Sequence, residues 1–441
     1  MRNIELFKIK IFNFFNSENS VAKSFFYLGI FLLPSTFSLA LLSIIFALIL
    51  RGFSFEQNKY LEDKYNLAFL LSALFMVLSC MINFYDDNAI NNSSQNQFNS
   101  ILGLLNWIPF FPAFWLLQPF LSNYNERKII SFLLISGTFP VIFSAFSQAF
   151  LGWHGPMETL YGLIIWYQRP LDSFTNVTGL FNNQNYLGAW LIVIWPFCLS
   201  LILFNGENII RKYFHYIILF SVSFITLLTS SRSAWICLLF AIPIIFGRRI
   251  KKLFLIFLFV IFLIILNINF PIFGENFQIF LKGIIPQGIW LKVTNYGINS
   301  LTPTRSDLWI SAIRMISNNP LFGSGSTSFS TFFLEETGTW YGHSHNLLLE
   351  LIISYGILAS LCVILPVSNL IFNSYQRIFR NNNKINIHNI IDRAWVGSLI
   401  LISLMHLVDI PYFDGRISLI AWILLAGSKK IIEESNLLVR E

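Results

Sequence analysis

Three polar segments in an otherwise apolar chain carry side chains able to do chemistry. The first is Thr229-Ser230-Ser231-Arg232-Ser233. A planar guanidinium flanked by hydroxyls suits a diphosphate, and an arginine that merely reaches lipid headgroups accounts for the segment equally well. The second runs Thr302-Pro303-Thr304-Arg305-Ser306-Asp307-Leu308-Trp309 and ends at Asn319-Pro320-Leu321-Phe322-Gly323-Ser324-Gly325. Thr304 or Ser306 can cap a helix there. Arg305 at its start opposes the helix dipole, which hints at a facing anion, although Asp307 could simply pair with it. Gly323-x-Gly325 either lets backbone approach a ligand or marks a turn. The third is Gly342-His343-Ser344-His345-Asn346, with Glu350 one turn further on.

His-x-His raises the question of a metal, but residues two apart at a helix start do not share a face, and no Cys or carboxylate cluster joins them. A histidine at a membrane boundary otherwise serves as a base near neutral pH or as a cap. Asp86 and Asp87 offer a metal-binding rival, yet their Asn/Ser/Gln-rich setting reads as a solvated loop. His406, Asp409, Asp414 and Arg416 gather at the last turn, where they line a cavity or pair locally. His154 and His215 read as interfacial.

The elements that must position these groups follow from composition. Of 441 residues 55% are hydrophobic, 17% aromatic and 12% charged. A soluble domain carries about 25% charge, so a polytopic membrane protein is expected, and an ordinary cytosolic enzyme, a disordered tail or a secreted disulfide scaffold is excluded. Cys80, Cys198, Cys237 and Cys362 lie inside apolar runs as small hydrophobes. Spanning-length runs lie near 25–50, 66–84, 101–121, 129–151, 186–204, 213–230, 233–247, 253–270, 346–373, 394–410 and 416–427. No cleavable signal peptide is expected, because no small-residue cleavage site follows the first run.

Lys and Arg concentrate at 126–128, 205–212, 247–252 and 374–393, which reads those joints as cytoplasmic. The joints at 85–100 and 152–185, and the long 271–345 segment, are poor in them and read as exoplasmic. Parity then asks the 25–50 run to cross twice, turning near Pro34-Ser35, or once with help from the Phe-rich 7–15 segment; two short spans are favoured, and the alternative is one long kinked helix with an external N-terminus. The expectation is all-α: one transmembrane domain (1–441) of about 12 helices with both termini cytoplasmic, and a long periplasmic loop at 271–345 containing short helices. No repeat with matched broken helices points to a transporter, and few ionisable groups lie inside the spans. The basic patches set topology and do not bind nucleic acid.

His345-Asn346, nine residues (347–355) and Gly356 resemble the His-Asn…Gly signature of the O-antigen ligase and O-antigen polymerase superfamily. The Arg305…Trp309…Pro320…Gly323-x-Gly325 run is similar to that family's exoplasmic loop, and Ser231-Arg232 to its helix-start pattern. Asn182-Asn183-Gln184-Asn185 resembles its Asn-Pro-Asn stretch, with Gln184 in place of Pro; Ala359 stands where ligases tend to carry a further Gly.

The resemblance implies an inner-membrane enzyme that moves a glycan from undecaprenyl diphosphate to a saccharide acceptor on the periplasmic face. The acceptor is lipid A core or another glycan, and no cofactor or metal is called for. By motif match, Arg232 and Arg305 bind the diphosphate and His345 acts at the acceptor, with Asn185, His343, Asn346, Gly323 and Gly325 in support. Direct displacement predicts inversion. The alternatives are a polymerase joining repeat units and a bicarbonate or other small-solute transporter.

Overall fold

The computed structural model describes residues 18–52, 58–85, 94–172, 176–203, 209–246, 250–285, 290, 303–380 and 389–437. It is nearly all-α. In chain order the main helices are α1 (Glu18–Leu32), α2 (Phe37–Gly52), α3 (Lys64–Tyr85), α4 (Ser94–Leu104), α5 (Phe110–Leu117), α6 (Tyr124–Gly137) and α7 (Phe139–Leu151). A hairpin of β1 (Met157–Thr159) and β2 (Ile164–Trp166) follows. Then come α8 (Gln184–Leu203), α9 (Ile209–Leu228), α10 (Arg232–Phe246), α11 (Lys251–Asn269), α12 (Glu275–Ile284), α13 (Arg305–Asn318), α14 (Ser328–Thr337), α15 (Leu347–Tyr375), α16 (Ile390–His406) and α17 (Gly415–Leu437).

Among the described residues, 5 helices are long and apolar enough to cross a membrane: 64–84, 124–151, 184–203, 252–269 and 347–379. Shorter apolar helices lie at 20–32, 37–52, 110–121, 212–228 and 232–246. The first apolar run breaks where Pro34 and Ser35 predict: Leu32 O accepts from the N–H groups of Ser35 (3.1 Å) and Thr36 (2.8 Å), and α1 folds back on α2. The run at 101–121 differs from its expected single span. It turns at 105–109 before Pro109, and at Gln118–Leu121 it tightens into a 3-10 turn that holds Pro119.

The core is built on α8, whose residues from Leu187 to Leu201 are buried continuously. An evenly apolar helix of this kind needs neighbours all round. It packs on α6, α9, α10 and α16. Trp190 donates to Thr138 Oγ1 (3.0 Å) at the α6–α7 joint, and Ser398 on α16 donates to Val193 O (2.7 Å). Two of the basic residues read as topology signals are buried here. Arg127 makes a bidentate pair with Asp392 (2.7 and 2.9 Å) and reaches Glu434 (2.6 Å). Arg393 donates to Ile245 O and Ile378 O. Arg248, Arg249 and Lys384 lie outside the described residues, as do Asp86 and Asp87.

The feature that governs the site is a break in α15. Gly356 takes φ 78° and ψ 175°, a conformation open almost only to glycine. The segment before it closes the gap with backbone. Ser324 N–H donates to Ile353 O (2.7 Å), Gly325 N–H to Ser354 O (3.1 Å), and Ile357 N–H to Pro320 O (2.9 Å). A Cβ on Gly356 would stand 2.1 Å from Leu321 O, and one on Gly323 (φ 69°) would stand 2.6 Å from Gly356 N. From α3, Ser79 donates to Phe322 O and Asn83 to Gly323 O (3.3 Å). Replacing Gly356 with Ala should therefore cost about 1–3 kcal/mol in backbone strain alone. Thermal unfolding of the purified variant in detergent should show a lowered Tm; an unchanged Tm would contradict the close packing.

Candidate active site

Arg305 is the first residue of α13. Thr304 caps that helix: its Oγ1 accepts from Asp307 N–H (3.3 Å), while Asp307 Oδ2 accepts from the Thr304 N–H and hydroxyl (2.8 Å each). This capping box takes up the Asp307 carboxylate and holds it below its ordinary pKa, through the Thr304 hydroxyl and then its backbone N–H. Arg305 instead faces Asp409, its Nη2 4.0 Å from Oδ2.

His345 sits just before α15 with φ 53°, a left-handed conformation that histidine tolerates better than most residues. Asn346 is the N-cap. Its Oδ1 accepts from Leu348 N–H (3.0 Å) and Leu349 N–H (3.2 Å), and its Nδ2 donates to Leu407 O (3.0 Å). The same residue thus starts α15 and ties it to the loop after α16. One turn inside, buried Glu350 accepts from the N–H (2.9 Å) and hydroxyl (2.8 Å) of Ser344, which pins the chain between the two histidines.

Asp409, on the loop between α16 and α17, joins these parts. Its Oδ1 lies 2.9 Å from His345 Nδ1 and accepts from Ile410 N–H at 2.9 Å. A carboxylate only accepts, so Nδ1 carries the proton and Nε2 is the basic atom of His345. Asp409 is 5% exposed, whereas Arg305 is 41% and His345 23%, so two accessible groups flank one buried carboxylate. Burial opposes ionisation of Asp409, but His345 and Arg305 outweigh it and hold the pKa below the usual range. Oδ2 has no hydrogen-bond partner among the described residues.

His343 stacks edge-on to His345 with ring centroids 4.3 Å apart, and its Nδ1 accepts from His345 N–H (3.3 Å). Burial first, then the positive fields of His345 and Arg305, push its pKa down to about 4. It is therefore neutral at neutral pH and supports the His345 backbone.

Other expected residues are placed differently. Arg232 is the exposed first residue of α10. The α10 start lies against the first turns of α8, since a Cβ on Gly188 would meet Ala234 and Ser231. Tyr186 in those turns feels the charges of Asp409 and Asp414. Arg232 therefore shares an end of the bundle with Arg305 and His345. Asn185 donates its N–H to Asn183 Oδ1 (2.7 Å) at the α8 start. Gly323 and Gly325 serve the α15 break described above.

The last-turn cluster divides. Asp414 and Arg416 pair with each other (2.9 and 2.6 Å), and Arg416 also stacks 3.8 Å from the Phe181 ring. His406 lies beside Tyr412, ring centroids 5.8 Å apart. Only Asp409 reaches the histidine, and the signal for it was an acid at the end of an apolar run. Tyr341, 6.1 Å from the His345 ring, had none.

Residues 216–364 match the family model described as O-antigen ligase. The match supports membership of the O-antigen ligase and polymerase superfamily. No curated protein matches the chain. The matched region holds Arg232, Arg305, His343, His345, Asn346 and Gly356, while Asn185 and Asp409 lie outside it. Family and apolar helices together indicate a multi-pass inner-membrane protein with an O-antigen ligase-like glycan-transfer function. They give no support to the solute-transporter alternative.

The depressed His343 pKa fixes a sign for stability. The unfolded chain takes up this proton near pH 6.5 and the folded one near 4. Stability from this group is therefore complete above about pH 6.5 and lost as pH falls toward 4. His343→Gln should lose less Tm than the unsubstituted protein between pH 7 and 4.5; parallel acid limbs would rule this out.

Proposed function

We propose that the chain is an inverting glycosyltransferase of the O-antigen ligase type. It moves a glycan from undecaprenyl diphosphate to a saccharide hydroxyl at the periplasmic face. The observation that carries this reading is the His345–Asp409–Arg305 arrangement: a base oriented by a buried carboxylate, beside an accessible guanidinium. Both termini are cytoplasmic in this reading, and the 271–345 segment lies outside the membrane.

The acceptor hydroxyl gives its proton to His345 Nε2 as its oxygen attacks the anomeric carbon. The bond from that carbon to the diphosphate oxygen breaks, and the lipid diphosphate leaves with the electron pair. Attack opposite the leaving group inverts the anomeric centre. Arg305, with Arg232 from the same end of the bundle, balances the charge that develops on the diphosphate. Asp409 holds His345 in the productive tautomer and stabilises the imidazolium that forms, as a carboxylate does beside other catalytic histidines.

A second feature supports the lipid-linked donor. A cavity of about 320 Å3 runs between α15, α16 and α17, lined by residues such as Leu347, Leu351, Val367, Leu404, Leu407 and Leu425. One end of it lies at the Asn346–Leu407 contact, next to His345. An isoprenoid chain fits such a wall, with its diphosphate at Arg305.

In proteoliposomes with a lipid-linked glycan donor, His345→Ala should lower transfer by about 10²–10⁴-fold. Arg305→Ala should do likewise, and Arg305→Lys should recover part of the loss. Retained activity in both alanine variants would sink the assignment. Ligase and polymerase share the donor and differ in acceptor, so the glycans of a deletion strain separate them. Polymer accumulating unattached marks a ligase; single-unit chains mark a polymerase.

A further inference from the structure

A polar cleft of about 330 Å3 lies beside the site and is used by none of the steps above. Its walls come from the α1–α2 turn and the start of α2, the β1–β2 hairpin and Tyr167 after it, Asn182 and Tyr186 around the start of α8, and the loop into α17. Phe37, Tyr167, Tyr186 and Phe413 supply aromatic surface, and Asn182 and Asp414 supply planar polar groups. Phe413 is 39% exposed.

Asp414 and Asn182 are each held in one orientation. Asp414 accepts from Arg416 N (3.0 Å), Nε (2.9 Å) and Nη2 (2.6 Å), and Arg416 Nη1 also donates to Leu180 O (3.2 Å). Asn182 Oδ1 accepts from Arg169 Nε (2.8 Å) and Nη2, which leaves the Nδ2 hydrogens as its donors. Because Asp414 and Arg416 neutralise each other, the cleft does not select a diphosphate. Aromatic faces beside rigid amide and carboxylate groups suit a neutral ligand with an apolar C–H face and vicinal hydroxyls. A pyranose is such a ligand.

The cleft also adjoins the chemistry. The Phe413 ring centroid is 6.2 Å from that of His343, and Tyr186 feels the charges of both Asp409 and Asp414. We propose that this cleft binds the acceptor saccharide, so that the sugar presenting its hydroxyl to His345 continues over Phe413 toward Tyr167 and Asn182. The proposal rests on the glycan-transfer reading and adds to it the location of the acceptor.

The test uses the full-length protein with delipidated core oligosaccharide and delipidated repeat-unit oligosaccharide as probes. Saturation-transfer NMR reads binding, and transfer kinetics are measured in parallel. Tyr167→Ala and Asn182→Ala should each raise the acceptor KM about tenfold and weaken the NMR response, with donor KM and Tm unchanged. His345→Ala should lose turnover yet bind the oligosaccharide as before. Wild-type acceptor KM in both cleft variants, or a shift in donor KM instead, would overturn the proposal. Cleft-dependent binding without transfer by the unsubstituted protein would leave the saccharide site standing and remove the transfer reading.

Discussion

A helix inside hydrocarbon must satisfy its own backbone, because lipid offers no hydrogen bonds. The break at Gly356 suspends that rule in α15 and frees carbonyls and N–H groups that need partners. The 320–325 loop supplies them in a fixed register. It docks so closely that two glycines are required where the backbones cross. The polar segment carrying Arg305 is therefore anchored to the bundle rather than hung from it. Its other end is set by the Asn346 cap at the start of the same helix. One imperfect helix thus holds the segment from Arg305 to His345 at the 320–325 loop and at its His345 end.

Two charge clusters in the bundle, Arg127–Asp392–Glu434 and the group around Asp409, follow opposite rules. In the first, Arg127 and Asp392 are buried and Glu434 is half-buried, and they close on each other with short contacts. Removing one partner from such a group typically costs 3–5 kcal/mol, because a buried charge is left alone. In the second, Asp409 is buried, but Arg305 and His345 are partly exposed, and Arg305 stands 4.0 Å away without closing a hydrogen bond. A loose pair with an accessible guanidinium leaves room for an anion, whereas the tight network does not.

Much of this was legible in the sequence. Hydropathy located the long apolar helices, and Pro34-Ser35 located the first turn. The Thr304 and Asn346 positions read as helix starts. Arg305 and His345 stood out as candidates by type and neighbourhood, and the fold brings both to Asp409. What the sequence hid was pairing at a distance. Asp307 was the obvious partner for Arg305, but capping geometry takes it up. Asp409, at the end of an apolar run, and Asp414 both read as members of one last-turn cluster, and only the fold sends one to His345 and the other to Arg416. Local patterns also overstate continuity: the 101–121 run reads as one span, and its prolines break it. The Gly323-x-Gly325 loop read as a ligand approach or a turn, and the backbone it approaches is the protein's own.

The position of Asp409 has a consequence for biogenesis. It follows His345 by 64 residues and Arg305 by 104, and α15 and α16 intervene. Chains are made and inserted from the N-terminus, and domains fold in that order. During synthesis the arginine and histidine emerge first, without their carboxylate, and the histidine tautomer is set only when the last loop arrives. A nascent or truncated chain then has the arginine and the histidine in place but no oriented base, so competence to react is tied to completion of the bundle.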